Sequence, residues 1–206
     1  MTGRQILVPA VRMERWVDNF GGRHGDFTLS AELGALTGLA ADGAAFAAHL
    51  PFALQYAGPA DPAVFAASCV PPARWGVLLV RKGGFAVARV AGHRIEESKV
   101  GQRHVQGRTK AGGQSQQRFS RRRDNQARAA YEAAAGHAHR ILTGSLSALV
   151  CGGDRAAVEQ VLEGPHLRRL VEVRVEPWLD VPDPRRAVLD QAVIDAASVA
   201  VTVTDP

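Results

Sequence analysis

At 206 residues and 46% hydrophobic side chains, the chain is long enough to bury one substantial core, so one compact domain over residues 1–206 is expected, with 1–72 the less defined part and 73–206 the centre of the fold. No run of 18 apolar residues exists, and the opening Met1-Thr2-Gly3-Arg4-Gln5 lacks the apolar stretch of a secretory signal, so the expectation is a soluble cytoplasmic protein without a membrane role. A net charge of +5 and a pI near 9.9 favour an anionic partner, and two cysteines, Cys69 and Cys151, exclude a disulfide framework or a zinc finger.

In chain order, Ile6-Leu7-Val8 reads as a short strand. Pro9 then opens a helix through Phe20, with Val11, Trp16, Val17 and Phe20 as its apolar stripe and Gly21-Gly22 as its stop. Phe27, Leu29 and Ala31 alternate with polar residues as a half-covered strand, Gly34 to Gly43 reads as a turn region of small residues, and Phe46 to Leu54 as another strand. Pro62 to Cys69 suits a two-turn helix. Trp75 to Val80, the turn Lys82-Gly83-Gly84, and Phe85 to Val90 form the clearest hairpin, followed by a strand from about His93 to Val100. From Gln116 to Leu142 there is no proline, and Phe119, Ala127, Ala130, Ala134, Ala138 and Ile141 recur at three and four residues, predicting one long helix with an alanine face. Strand and helix then alternate: Leu146 to Cys151, Asp154 to Leu162, Val171 to Val175, Pro184 to Ala197, Val199 to Val203. The class is α/β, a mixed sheet flanked by helices.

Charge is concentrated between Lys99 and Arg128, where nine Lys/Arg face a single acid, Asp124, so this segment carries +8 and the remainder −3. Within it stands Ala111-Gly112-Gly113-Gln114-Ser115-Gln116-Gln117. Ser115 can cap the long helix. Arg118, Arg121, Arg122 and Arg123 crowd the first turns, where the helix dipole is already positive, a placement that a bound phosphate chain would offset. Gly112 and Gly113 add no side-chain bulk and reach backbone angles closed to other residues, so the tip can enter a confined site. Gln114 brings donors and an acceptor without charge; it is a poor base and acts on a water or a carbonyl only by positioning. The bland alternatives are an ordinary flexible loop and a solvated arginine face.

The stretch Lys99-Val100-Gly101-Gln102-Arg103-His104-Val105-Gln106-Gly107-Arg108-Thr109-Lys110 and the seven residues after it resemble the release-factor-like domain of the ribosome quality-control peptidyl-tRNA hydrolases, most closely the actinobacterial VLRF type. Those proteins are similar to the middle domain of archaeal and eukaryotic class I release factors. The resemblance is strongest from Trp75 to Asp154. It implies a ribonuclease H-like mixed sheet and hydrolysis of the ester joining a nascent peptide to tRNA on stalled ribosomal complexes, that is, ribosome rescue on the large subunit without a metal, nucleotide or organic cofactor. On this resemblance Gly112 and Gly113 match the flexible glycines and Gln114 the catalytic glutamine. The eukaryotic quality-control enzymes place their glutamine one position later, where Ser115 stands here, and Gln116 remains an alternative. Lys99, Arg103, Arg108, Lys110, Arg118, Arg121, Arg122 and Arg123 would hold the RNA backbone.

Other patterns reduce to structure. Gly101-x5-Gly107-Arg108-Thr109 departs from a phosphate-binding nucleotide loop in spacing and lacks its lysine. Asp154 reads as a helix cap, His137 and His139 fall on different helix faces, and the basic segment offers too few carboxylates for a metal-dependent nuclease. A non-catalytic ribosome or structured-RNA binding module is the alternative to the hydrolase.

Overall fold

The computed structural model describes the backbone of residues 3–102 and 114–206 and the side chains of residues 3–101 and 128–206. Its contacts cluster into two compact units, Met1–Pro72 with Val193–Pro206, and Ala73–Ala192. The mixed α/β class read from the sequence holds, but it is realised as two five-stranded sheets and two cores in place of one.

In the first unit the strands are β1 (Arg4–Val8), β2 (Phe27–Glu32), β3 (Ala35–Ala40), β4 (Ala45–His49) and β10 (Val199–Thr204), in the antiparallel order β1-β10-β4-β3-β2. Two helices accompany them, α1 (Met13–His24) and α2 (Pro62–Ala67). Met13, Val17 and Phe20 of α1 are buried with Leu36, Phe46, Phe65, Val199 and Val201. Asp61 caps α2, accepting from the amides of Ala63 at 2.8 Å and Val64 at 2.9 Å.

Several local expectations give way here. The chain after Pro9 makes a 3₁₀ turn, Ala10–Arg12, before α1 begins, which leaves Val11 exposed and outside the stripe. Gly21-Gly22 does not stop α1. Gly21 sits inside the helix because a Cβ there would lie 2.6 Å from the Phe27 ring, so the glycine admits the following strand. Within the Gly34 to Gly43 region, Ala35–Ala40 form β3: Leu33 and Gly34 both take positive φ, 51° and 76°, and close a two-residue hairpin between the paired Glu32 and Ala35. Phe46 lies across Gly38, 2.2 Å from where a Cβ would stand. β4 ends at His49, and Phe52 and Ala53, with φ of 60° and 57°, cannot continue it.

The second unit contains β5 (Trp75–Arg81), β6 (Gly84–Ala91), β7 (Arg94–Gln102), β8 (Leu149–Gly153) and β9 (Arg174–Leu179), in the order β7-β6-β5-β8-β9. The β7-β6-β5 part is antiparallel, and β5-β8-β9 is parallel. Its helices are α3 (Gln114–Ile141), α4 (Arg155–Leu162) and α5 (Arg169–Glu172), and α6 (Arg186–Ala196) begins in it, with Val193 onward counted in the first unit. Ala134, Ala138 and Ile141 of α3, with Val158 and Val161 of α4, share a core with Leu78, Val80, Phe85 and Val87 of the sheet. Alanine on this face lets the long helix approach the strands closely. The strand expected at Val171 begins only at Arg174, after the single turn of α5, and the strand expected at Val199 belongs to the first unit, antiparallel between β1 and β4.

Candidate functional site

The segment of interest connects β7, an edge strand of its sheet, to α3. β7 pairs with β6 in the register Lys99↔Val87, Gly101↔Phe85 and Gln102↔Gly84. Opposed residues in an antiparallel pair share a face, so Lys99 stands on the side of the sheet where Val87 packs, and it is exposed there. Phe85 lies across Gly101, whose missing Cβ would be 2.3 Å from the ring, and it stacks on His137 of α3 at 5.5 Å and 28°. A single aromatic therefore fixes the exit of the strand against the helix that the chain later forms. Burial holds the His137 imidazole below its ordinary pKa, with the Arg140 guanidinium and the Lys99 ammonium acting in the same direction. Arg140 Nη2 lies 2.9 Å from the His137 Nδ1.

α3 begins at Gln114 and runs 28 residues, about 42 Å at 1.5 Å per residue. Gln114 stands about 24 Å along the axis from Ala130, the first buried alanine of the helix among the described residues. No acid lies in its first turn, so the positive end of the dipole is not offset within the helix. Ser115, expected as the cap, is instead the second helical residue.

The opposite end is held from two directions. Arg89 of β6 donates through Nη1 to the Ile141 carbonyl at 3.0 Å while its Nε bonds Glu96 at 3.1 Å. Arg169 of α5 donates through Nη2 to the Leu142 carbonyl at 2.7 Å and through Nη1 to the Gly144 carbonyl. Two guanidiniums thus satisfy carbonyls that the helix end leaves open and complement its negative dipole. Sequence reasoning gave Phe85 and Arg89 a place in a strand and assigned no anchoring role to either, nor to Arg169. A basic residue flanked by acids reads as a solvated face, and only the fold shows that these guanidiniums point at a helix terminus.

Of the residues singled out in sequence, Arg103, Arg108, Lys110, Gly112 and Gly113 lie outside the described residues. Gln114, Gln116, Arg118, Arg121, Arg122 and Arg123 are placed only as helical backbone in the first three turns of α3, and Lys99 on β7. Asp154 caps α4 as expected, accepting from the Ala156 and Ala157 amides at 3.1 and 3.4 Å. His137 and His139 diverge, the first toward Phe85 and the second toward His166 at 4.7 Å. Among the described residues no three His, Cys, Asp or Glu side chains gather as a metal site, and no helix is long and apolar enough to cross a membrane. Cys69 and Cys151 are free and buried, and burial raises their thiols to about 11 and about 12.

Among solved structures, an archaeal translation termination factor, aRF1, aligns with a TM-score of 0.39 at 18% identity, covering 60% of this chain and 34% of its own. Archaeoglobus fulgidus Pelota aligns with a TM-score of 0.29 at 10% identity, covering 93% and 64% respectively. Likenesses this loose bear no functional reading. Peptide chain release factor subunit 1 of Pyrococcus abyssi is 27% identical over 112 residues, which are 52% of this chain and 27% of that protein, so the chain spans about a quarter of that relative's length. Residues 73–202, which hold the whole of β5 to β9, the helix α3 and the glycine-glutamine triplet, match the family described as Actinobacteria/chloroflexi VLRF1 release factor, and the chain belongs to that family.

Proposed function

We propose that the protein is a release-factor-like peptidyl-tRNA hydrolase that acts on stalled ribosomal complexes. In this reading Gly112 and Gly113 let the tip enter the large subunit beside the peptidyl-tRNA ester. Gln114 orients water and the developing oxyanion through its uncharged amide, while a proton acceptor other than this amide must take the proton from water. Lys99, Arg103, Arg108, Lys110, Arg118, Arg121, Arg122 and Arg123 neutralise RNA phosphates around the tip. The scheme needs neither metal nor organic cofactor.

The observation that carries this reading is the family match across 73–202, which includes the triplet. The structure adds support of a physical kind: the triplet's glutamine is the first residue of a 28-residue helix with no acid in its first turn. The far end of that helix is tied to the sheet by Arg89 and Arg169. A rigid rod held at one end and cationic at the other is suited to delivering a small polar group into an RNA-walled site.

The test is peptide release from 50S and 70S complexes bearing labelled peptidyl-tRNA. Wild type releases peptide; Gln114→Ala still binds but releases on the order of 10²–10³-fold more slowly, the scale for losing one positioned donor. A triple alanine variant at Arg121, Arg122 and Arg123 loses binding, with a shallower salt dependence. Wild type that binds and never releases would leave the binding module as the correct reading. Loss of release in Gln116→Ala alone would move the catalytic role to Gln116.

A further inference from the structure

The first unit carries a cleft that the hydrolase reading does not use. It encloses about 350 Å³ between α1 and the β1 end of the sheet, and its walls include Arg4, Trp16, Asn19, Arg23, His24 and Asp205. That volume falls at the lower end of the ~300–1,000 Å³ typical of small-molecule sites. Trp16, Asn19 and Arg23 recur at i, i+3 and i+7, so they form one stripe of α1 beside the core stripe of Met13, Val17 and Phe20.

Trp16 is half-buried and held by two rings, edge-on to Phe46 at 5.0 Å and stacked on Phe20 at 6.1 Å. Its indole N–H has no hydrogen-bond partner among the described residues. Arg4 and Arg23 are exposed and form no ion pair among the described residues, in contrast to Arg89 and Arg186, which do. His24 is engaged through Nδ1 by Asp42 at 2.8 Å. The cleft thus offers a fixed aromatic plane, two uncommitted guanidiniums and one neutral amide, with a single carboxylate, Asp205, on its wall.

We propose that this cleft binds single-stranded RNA, stacking one base on Trp16 and taking the adjoining phosphates on Arg4 and Arg23. An aromatic held in place and flanked by guanidiniums suits a strand whose bases are splayed out, since any base presents a π-face and a phosphate lies on either side of it. Asn19 has both donors and an acceptor for a base edge. Asp205 only accepts, and a ribose 2′-hydroxyl is a donor that RNA has and DNA lacks, so RNA is favoured over DNA. A purely acidic peptide would satisfy the arginines but leave the ring and Asp205 without a role. The proposal is independent of peptide release, because its residues all belong to the first unit and its readout is local.

The experiment follows the three indole N–H signals of the full chain by NMR, the Trp16 peak being assigned with Trp16→Phe, during titration with hexauridylate, the matching deoxy hexamer and hexaglutamate. The Trp16 peak is expected to shift and saturate with hexauridylate, to require more of the deoxy hexamer, and to stay in place with hexaglutamate. Arg4→Ala and Arg23→Ala, both at exposed positions, should each lower the salt slope of that local binding by about 1. A Trp16 peak that stays fixed while hexauridylate binds elsewhere on the chain overturns the proposal. An equal shift with hexaglutamate overturns it in favour of an acidic peptide.

Discussion

Replacing Arg89 with alanine tests whether α3 is anchored from its C-terminal end. The side chain is 21% exposed, donates to the Ile141 carbonyl at 3.0 Å and pairs with Glu96 at 3.1 Å and Glu97 at 3.4 Å. A hydrogen bond from a charged donor is worth about 1.5–3 kcal/mol. The two ion pairs are partly solvated and add at most about 1 kcal/mol, since exposed pairs are screened. We therefore expect Arg89→Ala to cost about 2 kcal/mol, which for a chain of this length lowers Tm by about 4–8 °C. The loss should be local as well. Leu142 donates to Ala138 at 2.8 Å in the last turn, and its amide should exchange about 30-fold faster, the equivalent of about 2 kcal/mol. Arg89→Lys keeps the charge but cannot reach the carbonyl and the carboxylates together, so it should recover only part of both effects. Thermal unfolding and hydrogen exchange by mass spectrometry read the two quantities. An unchanged Tm with unchanged exchange at Ala138 to Leu142 would refute the anchoring argument.

Four further expectations follow from the second unit and the buried thiols. In Gly152→Ala the new Cβ would stand 2.5 Å from the Leu179 carbonyl oxygen and 2.8 Å from its Cβ, a strand backbone with no freedom to retreat, so the urea midpoint should drop by the equivalent of about 1–3 kcal/mol. Asp154→Ala removes the cap of α4 and should cost about 1 kcal/mol, with Asp154→Asn retaining most of it; equal loss in both would show that the charge and not the hydrogen bonds matters. Burial raises the Cys151 thiol from 9.0 to about 12, so the stability it contributes is complete below pH 9 and is lost as pH rises from there toward 12; unfolding free energy should fall over that window and fall less in Cys151→Ala. At pH 8 neither thiol should react with an alkylating reagent until urea is added, and rapid labelling of the native protein would contradict their burial.

How far the sequence speaks depends on whether the deciding partner is near in the chain. The hairpin of β5 and β6 was legible because Lys82-Gly83 separates two apolar runs, and the register Arg81↔Gly84 needs nothing else. The long helix was legible because its alanines repeat over many turns. By contrast, Gly21 looks like a stop and Gly38 like part of a turn until the rings of Phe27 and Phe46 are seen lying over them. Local chemistry gives glycine the same appearance in either role. The candidate tip was legible only as a charge run around a triplet. Its anchorage was not, because Arg89 and Ile141 are 52 residues apart and Arg169 and Leu142 are 27 apart. The destination of Val199–Thr204 was misjudged for a related reason: alternating strand and helix suggests a neighbour in the same sheet, whereas the paired strands begin at Arg4 and Ala45.

The placement of β10 between β1 and β4 gives the chain a particular order of birth. β1 meets its neighbour only through residues Val199–Thr204, some 190 positions later. At roughly 5–20 residues per second of synthesis, the first strand leaves the exit tunnel about 10–40 seconds before that neighbour exists. Over that interval β1 has no strand to pair with, and the edge of β4 that β10 later covers is open to any passing extended segment. The polar and charged start of β1, Arg4-Gln5, and its length of five residues leave little for a wrong strand to grip.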